Sequence, residues 1–579
     1  AVAFVVIAWR GLAIARRAST DYGLFLALAM TLTLVVPVLV MSAGLLGLIP
    51  LTGVVTPFLS YGGSAMAVNF LALGLVVACR GGRQASVEPT GEAFHVPMRW
   101  LARTMAAAAI GLVIVWGRTQ IVSADALLVR PQLGRQADGG VRFQYNPRVL
   151  DMARLLPRGT IFDRAGIPLA TDDVAVAHTE ADAYRRLGID VDRLCPPAGD
   201  ARCYPFGGEM FHLLGDARTR ANWAASNSSY VERDAEARLR GFDDRAVIVR
   251  TGQEGESGVA LRRDYAPLVP LVRHRWEPEH PAVRAVFERP RDVRLTIDAR
   301  LQHQVSVILA RAVTSARVTR GAAVVVDADS GEVLASVSYP WPSTAAADGL
   351  ASDASLDRAR YGLYPPGSTF KVVTAAAALR ADPALAGLSF VCERLPDNRA
   401  GARIAGYGRP VRDDVRDRHA HGSIAMRDGF VQSCNAYFAQ LAVRIGADRL
   451  AETSALAGIA LSSSSDAGAL RDTLPYAGFG QGQVVASPLR LARVVAAVAS
   501  DGLIREAPIV RESGQTVATS FLPPGEAHVI AGFMRGAVTD GTGRLLASHP
   551  SRIAGKTGTA ELEGAPSHAW FVGFAPYGE

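Results

Sequence analysis

An α+β fold preceded by membrane-spanning helices is the class this sequence predicts, on three observations. Four apolar stretches crowd its first 117 residues. From Val293 onward, short runs of β-branched residues alternate with amphipathic helical runs, the pattern of sheet and helix sharing one domain. Apolar residues make up 49% of the chain, more than an ordinary soluble protein carries.

The apolar stretches fall at residues 1–14, 24–49, 65–78 and 104–116. The second is long enough to span a bilayer, and the others are near or below the roughly 17–25 residues a span requires. Arg16 and Arg17 separate the first two stretches, and Arg80, Arg83, Arg99 and Arg103 separate the last two, so both of those loops are expected on the cytoplasmic side. The uncharged loop 50–64 and everything after Trp116 then face outward. That loop contains Pro50-Leu51-Thr52-Gly53 and Pro57-Phe58-Leu59-Ser60-Tyr61-Gly62-Gly63-Ser64. It resembles the last outer loop of the SEDS family, the FtsW/RodA-type glycan polymerases, with Met41 where that family usually carries an asparagine. The resemblance implies the final helices of such a polymerase. The aspartate on which polymerisation depends belongs to an earlier outer loop, and before Glu88 the one acidic residue is Asp21, on the cytoplasmic side. Residues 1–80 are therefore expected to anchor rather than to polymerise alone. Because Ala1 already stands inside an apolar run, the chain is expected to be a fragment at its start.

Residues 81–98 are polar, with Pro and Gly, and are expected to form a cytoplasmic linker before a transmembrane anchor at 99–117. A net charge of +7 with a pI near 9.3 raises nucleic acid as a partner, but the arginines are scattered and no basic stripe interleaved with aromatics occurs, so none is expected. Five cysteines are too few for a disulfide framework and show no metal-ligand spacing, so neither metal nor cofactor is expected. Cys195 and Cys203 are close enough to bridge in an exported domain.

Beyond the anchor, Arg158-Gly159-Thr160-Ile161-Phe162-Asp163-Arg164-Ala165-Gly166 reads as a turn between two short strands. It resembles the stalk of class B penicillin-binding proteins, which implies a β-rich pedestal over 118–290. From there the patterns sharpen: residues 293–298 read as a strand, 301–312 as an amphipathic helix, and 322–327 with 333–337 as a hairpin turning at Ser330-Gly331.

Only two lysines occur among the 61 basic Lys and Arg residues, Lys371 and Lys556. Arginine can replace neither. A general base must give up its proton, which a guanidinium cannot do, and a compact point charge suits a site between a serine and a carboxylate better than a planar fork. Lys371 closes Pro365-Pro366-Gly367-Ser368-Thr369-Phe370-Lys371, where a turn leads into a helix and places nucleophile and base one turn apart on one face. The helix dipole there favours developing negative charge. Ser433-Cys434-Asn435 lies between two helical runs, and Lys556-Thr557-Gly558-Thr559 is expected on an edge strand. A phosphate-binding loop is excluded at Lys556, because the glycine it needs falls at Pro550.

In this order the three motifs resemble those of penicillin-binding transpeptidases, with the resemblance covering about residue 291 to the end. It implies the penicillin-binding transpeptidase, or β-lactamase-like, fold over 291–579, with a C-terminal strand and helix still to come after Glu579. It also implies a serine D,D-transpeptidase. Ser368 is the nucleophile, Lys371 its base and Ser433 a proton relay; Asn435 holds the substrate backbone, and Lys556, Thr557, Gly558 and Thr559 receive the substrate carboxylate. The backbone N–H groups of Ser368 and Thr559 form the oxyanion hole. Cys434 is expected to be a packing residue. Implied partners are peptidoglycan stem peptides ending in D-Ala-D-Ala, β-lactams, the lipid bilayer of a bacterial inner membrane and cell wall elongation or division proteins. A D,D-carboxypeptidase or β-lactamase using water, and a scaffold without activity, are the alternatives; a penicillin-sensing receptor lacks the His-Glu-x-x-His motif needed to pass a signal on.

Overall fold

The computed structural model describes all residues except 1, 47, 50–52, 60–62, 81–91, 136–139, 198–200, 251–258, 343–352, 416–418, 462–466, 512–516, 563 and 579. Much of the outer-loop motif, including Pro50 and Tyr61, and the linker core therefore lie outside the described residues. The chain divides into two compact units, Ala1–Leu155 with Arg245–Val286, and Leu156–Asp244 with Phe287–Glu579. The stretch 118–290, expected as one pedestal, is shared between them.

In the first unit the four apolar stretches form helices α1 (Val2–Arg16), α2 (Asp21–Leu45), α3 (Gly63–Ala78) and α4 (Glu92–Gly117). Among the described residues, two helical segments are long and apolar enough to cross a membrane, Asp21–Leu45 and Arg99–Val122. Gly11 lets α1 approach α2 so closely that a Cβ there meets the Thr31 hydroxyl at 2.2 Å. Residues 92–98, expected in the linker, are helical instead. Pro97 stands inside this helix, where it has no N–H to donate to the preceding turn. The same unit holds two hairpins, Gln132–Arg135 with Val141–Gln144 and Val247–Arg250 with Val259–Arg262. Tyr145 joins them, its hydroxyl accepting the Arg263 N–H at 2.6 Å and its ring meeting Tyr265 edge-on. This long-range pairing draws residues 245–286 away from the rest of the expected pedestal.

The second unit begins with β1 (Ile161–Phe162) and β2 (Pro168–Ala170), the predicted pair of short strands. The turn between them is built by Asp163, fully buried, whose carboxylate accepts the N–H groups of Ala165, Ile167 and Ala299 at 2.7–3.0 Å. The strand that completes this sheet comes from far along the chain, β3 (Val293–Arg294), parallel to β1. Gly159 is required beside it, because a Cβ would lie 2.2 Å from the Arg291 carbonyl oxygen. Cys195 and Cys203 form a disulfide.

Helix α5 (Ala299–Ser315) then covers the antiparallel pair β4 (Gly321–Val326) and β5 (Val333–Tyr339), as the sequence predicts. The chain enters α6 (Lys371–Ala381), whose residues from Lys371 through Leu379 are all buried. A helix apolar on every side belongs in a core, and α6 is the centre of this one. A four-stranded sheet follows, built from β6 (Phe390–Arg394), β7 (Ala400–Ala402), β8 (Val411–Arg412) and β9 (Gly422–Ile424). Helices α7 (Met426–Val431) and α8 (Asn435–Ile445) come next, and the last hairpin pairs β10 (Ala554–Leu562) with β11 (Ala565–Phe574).

Candidate active site

The predicted residues from three distant segments meet at the N-terminal end of α6. Ser368 lies in a 3-10 turn, Gly367–Phe370, rather than in the α-helix itself. The turn is tighter because Gly367 adopts φ +54° and donates its N–H to the Gly480 carbonyl at 2.9 Å. Gly480 belongs to the Gly480-Gln481-Gly482 run, so that run serves to receive this turn. A Cβ on Gly367 would sit 2.5 Å from the carbonyl oxygen of Thr559, and one on Gly558 3.0 Å from the Thr369 nitrogen. The serine turn and β10 are therefore in backbone contact. Gly367→Ala is expected to lower Ser368 reactivity towards penicillin by about 100-fold, since a displacement near 1 Å is enough for that; labelling rates with a fluorescent penicillin measure it.

Lys371 is fully buried, and its Nζ donates to Ser368 Oγ at 3.0 Å, to Asn435 Oδ1 at 2.7 Å, to Ser433 Oγ at 3.3 Å and to the Ser433 carbonyl. Lys556, also fully buried, donates to Ser433 Oγ at 2.8 Å and to the Thr557 carbonyl at 3.0 Å. One hydroxyl thus stands between two lysine nitrogens. Burial, followed by the nearby Lys371 charge, pushes the Lys556 ammonium well below its ordinary value. Ser433 itself has φ +62°, an unfavourable conformation for a residue with a Cβ, costing about 1–2 kcal/mol. The strain turns its side chain and its carbonyl together onto Lys371.

Thr557, Gly558 and Thr559 line β10 beside the serine, with Thr559 exposed and the Thr557 hydroxyl 2.5 Å from that of Thr542. The Trp570 indole N–H on β11 fixes the approach to the serine turn by donating to the Pro365 carbonyl at 3.0 Å, and His568 packs edge-on to Tyr364. The eight predicted site residues are therefore brought together where the serine turn, the Ser433–Asn435 segment and β10 meet.

Sequence reasoning missed the groups behind the cleft. Asp413, directly after β8, is 1% exposed, and its Oδ1 accepts the N–H groups of Asn435 and, at 3.0 Å, Ala436. Its Oδ2 lies 3.2 Å from each of Cys392 Sγ, Cys434 Sγ and His421 Nδ1. Burial opposes ionisation of Asp413, but His421, the Lys371 charge and the Ala436 N–H outweigh it and hold the carboxyl below its usual range. His421 is raised to about 10, with Asp413 the first cause. Cys392 is lowered, chiefly by Cys434 beside it, while contact with Cys392 and burial push Cys434 up. These four are the described residues near the cleft whose donor atoms converge closely enough to hold a metal ion. The linear spacing carried no sign of them, because each arrives on a different strand or turn.

Residues 321–579 match the penicillin binding protein transpeptidase domain family, and residues 2–85 match the FtsW/RodA/SpoVE family of cell cycle proteins. The chain is 30% identical over 298 residues to the peptidoglycan D,D-transpeptidase PbpA of Mycolicibacterium smegmatis, covering 44% of this chain and 59% of that relative's length. It is 25% identical over 482 residues to the peptidoglycan D,D-transpeptidase MrdA of Escherichia coli K12, covering 71% of each. Penicillin-binding protein A from M. tuberculosis, solved as an imipenem acyl-enzyme complex, shares its fold with a TM-score of 0.54 at 23% identity, over 74% of this chain and 92% of that one. One chain thus carries a match to the penicillin binding protein transpeptidase domain and a match to the FtsW/RodA/SpoVE family.

Proposed function

We propose that this chain is a membrane-anchored serine D,D-transpeptidase that cross-links peptidoglycan. The observation that carries the reading is the 3.0 Å contact from Lys371 Nζ to Ser368 Oγ, inside a cleft that also gathers Ser433, Asn435 and Lys556. Lys371 in its neutral form takes the Ser368 proton, and Oγ attacks the carbonyl between the two terminal D-alanines of a stem peptide. The N–H groups of Ser368 and Thr559 receive the oxyanion. Collapse breaks the peptide bond. The departing D-alanine amine takes a proton delivered through Ser433, whose hydroxyl touches both lysines. An acceptor amine on a neighbouring stem then attacks the ester and returns the proton by the same route. Lys556, Thr557 and Thr559 hold the terminal carboxylate, and Asn435 the substrate backbone. β-Lactams acylate Ser368 in place of the stem peptide.

The apolar helices make the chain multi-pass in a bacterial inner membrane, with arginine-bearing loops on the cytoplasmic side and the cleft outside. Its partners are the bilayer, the stem peptides and proteins of cell wall elongation or division. The test is covalent labelling of the full chain in detergent with benzylpenicillin, read by intact mass. A single penicilloyl adduct on the parent chain and none on Ser368→Ala is the expected result; an adduct that survives in Ser368→Ala, or no adduct on folded parent chain, overturns the reading.

A further inference from the structure

Trp276, outside the apolar helices of the first unit, is 82% exposed. It stands on the tip of a closed turn. Glu277 and His280 donate their N–H groups to the His274 and Glu277 carbonyls at 2.8 and 3.0 Å, and the rings of His274 and His280 stack 3.5 Å apart at 10°. Residues 275–279 between those rings are all exposed. The ends of the turn are held together, so the indole is presented outward and little ordering remains to be done on binding.

The tip lies beside the point where the chain leaves its apolar helices. The segment Arg99–Val122 ends three residues before Asp125, and Asp125 pairs at 3.3 Å with Arg273, three residues before Trp276. The short helices Ala124–Val129 and Val269–Arg273 pack together there. Three residues of helix rise about 4.5 Å, whereas a headgroup layer is about 5–8 Å deep, so the Asp125–Arg273 pair falls at headgroup depth. Ile121, Val122 and Leu127, large apolar side chains around the same point, are exposed as well.

We propose that Arg275–Glu279 is a second membrane contact of this chain, in which the Trp276 indole seats among the headgroups of zwitterionic phospholipids beside the anchor helix. The proposal rests on the membrane anchoring proposed above.

Tryptophan suits this depth, because its ring is at home against the edge of the hydrocarbon and its N–H against wet headgroups. The Arg275 guanidinium lies over the Trp276 ring at 4.5 Å, which places a phosphate-binding group next to the indole. The other charges of the tip are Glu277, 3.5 Å from the His274 ring nitrogen, and Glu279. One cation with two carboxylates is repelled by a purely anionic surface and complements a headgroup that carries both phosphate and ammonium. The contact gives the first unit a second attachment and so restrains its rotation about the anchor helix.

The full chain in vesicles of phosphatidylethanolamine and phosphatidylglycerol provides the test. Subtracting the emission of Trp276→Phe from that of the parent chain isolates the Trp276 signal from the other tryptophans. Lipids brominated near the headgroup end of their chains should quench at least half of that signal, and acrylamide should quench it at least threefold less than free tryptophan. A difference signal that ignores the brominated lipid and is quenched like free tryptophan overturns the proposal, as it would if the tip were reserved for a protein partner. A second measurement needs no variant: a phospholipid with a diazirine in its headgroup is photolysed beside the parent chain and the adducts are mapped by peptide mass. Adducts on both Arg99–Val122 and the tip are expected. Adducts on the anchor segment alone refute the tip contact and leave the anchoring standing, whereas none on either segment removes the anchoring and the tip contact with it.

Discussion

Lys371→Arg is expected to slow acylation of Ser368 by roughly a thousandfold, the middle of the range for a lost general base. The substitution preserves charge and much of the length, so it separates the need for a positive group from the need for a removable proton. Guanidinium stays protonated at any pH at which the protein is folded. It also presents a flat fork to a cavity in which one Nζ serves four acceptors, namely Ser368 Oγ, Ser433 Oγ, the Ser433 carbonyl and Asn435 Oδ1. Time courses of labelling with a fluorescent penicillin measure the loss, and circular dichroism melting confirms that the variant is folded. Labelling within tenfold of the parent rate in a folded variant would remove Lys371 from the base role.

The largest expected effect on stability lies away from the cleft. Glu232 is fully buried and is held by Arg158 Nε at 2.7 Å, by Arg202 Nε and by the Tyr204 hydroxyl at 3.2 Å. Arg202, 3% exposed in its side chain, also pairs with Asp172 at 2.9 Å and donates to the Gly159 carbonyl at 3.0 Å. Removing the carboxylate leaves two guanidinium groups underground with too little negative charge. Glu232→Ala is expected to cost about 3–5 kcal/mol, the usual penalty for breaking a buried pair from one side. Glu232→Gln, which keeps the shape and part of the hydrogen bonding, should cost less. Urea unfolding followed by fluorescence decides it, and a loss below about 1 kcal/mol for the alanine variant would mean that water reaches the arginines.

The contrast between these two sites explains what the sequence made legible. Ser368, Lys371 and Lys556 could be singled out because the chemistry demands those residue types in those local contexts, whereas Ser433 and Asn435 were legible only through the resemblance carried by the order of the three motifs. Asp163 was visible as a turn residue, though its bond to the Ala299 nitrogen was not. The pairing of Glu232 with Arg202 and Arg158 was invisible, since an ion pair joining residues 74 apart leaves no periodicity to read. The same holds for Cys392, Asp413 and His421, which sit on or beside strands of two to five residues with no amphipathic signature. The 3-10 turn at Ser368 also departs from the expected α-helix, because the pull of Gly480 on Gly367 is a tertiary contact. Likewise the boundary of the pedestal depended on hairpins meeting through Tyr145, not on composition.

The parallel pairing of Ile161 with Val293 also sets a schedule for the growing chain. Thr160 donates its N–H to Asp292, a residue 132 positions further along, so β1 can pair early with β2 but lacks its parallel neighbour until that residue emerges. At 5–20 residues per second the wait is on the order of ten seconds. Ile161, Leu169 and Ala170, all fully buried in the finished fold, share their core with Val293, Leu295 and Ile297, which arrive only after that interval. A newborn molecule of this protein therefore carries an incomplete sheet through that interval, finished only when the parallel strand arrives.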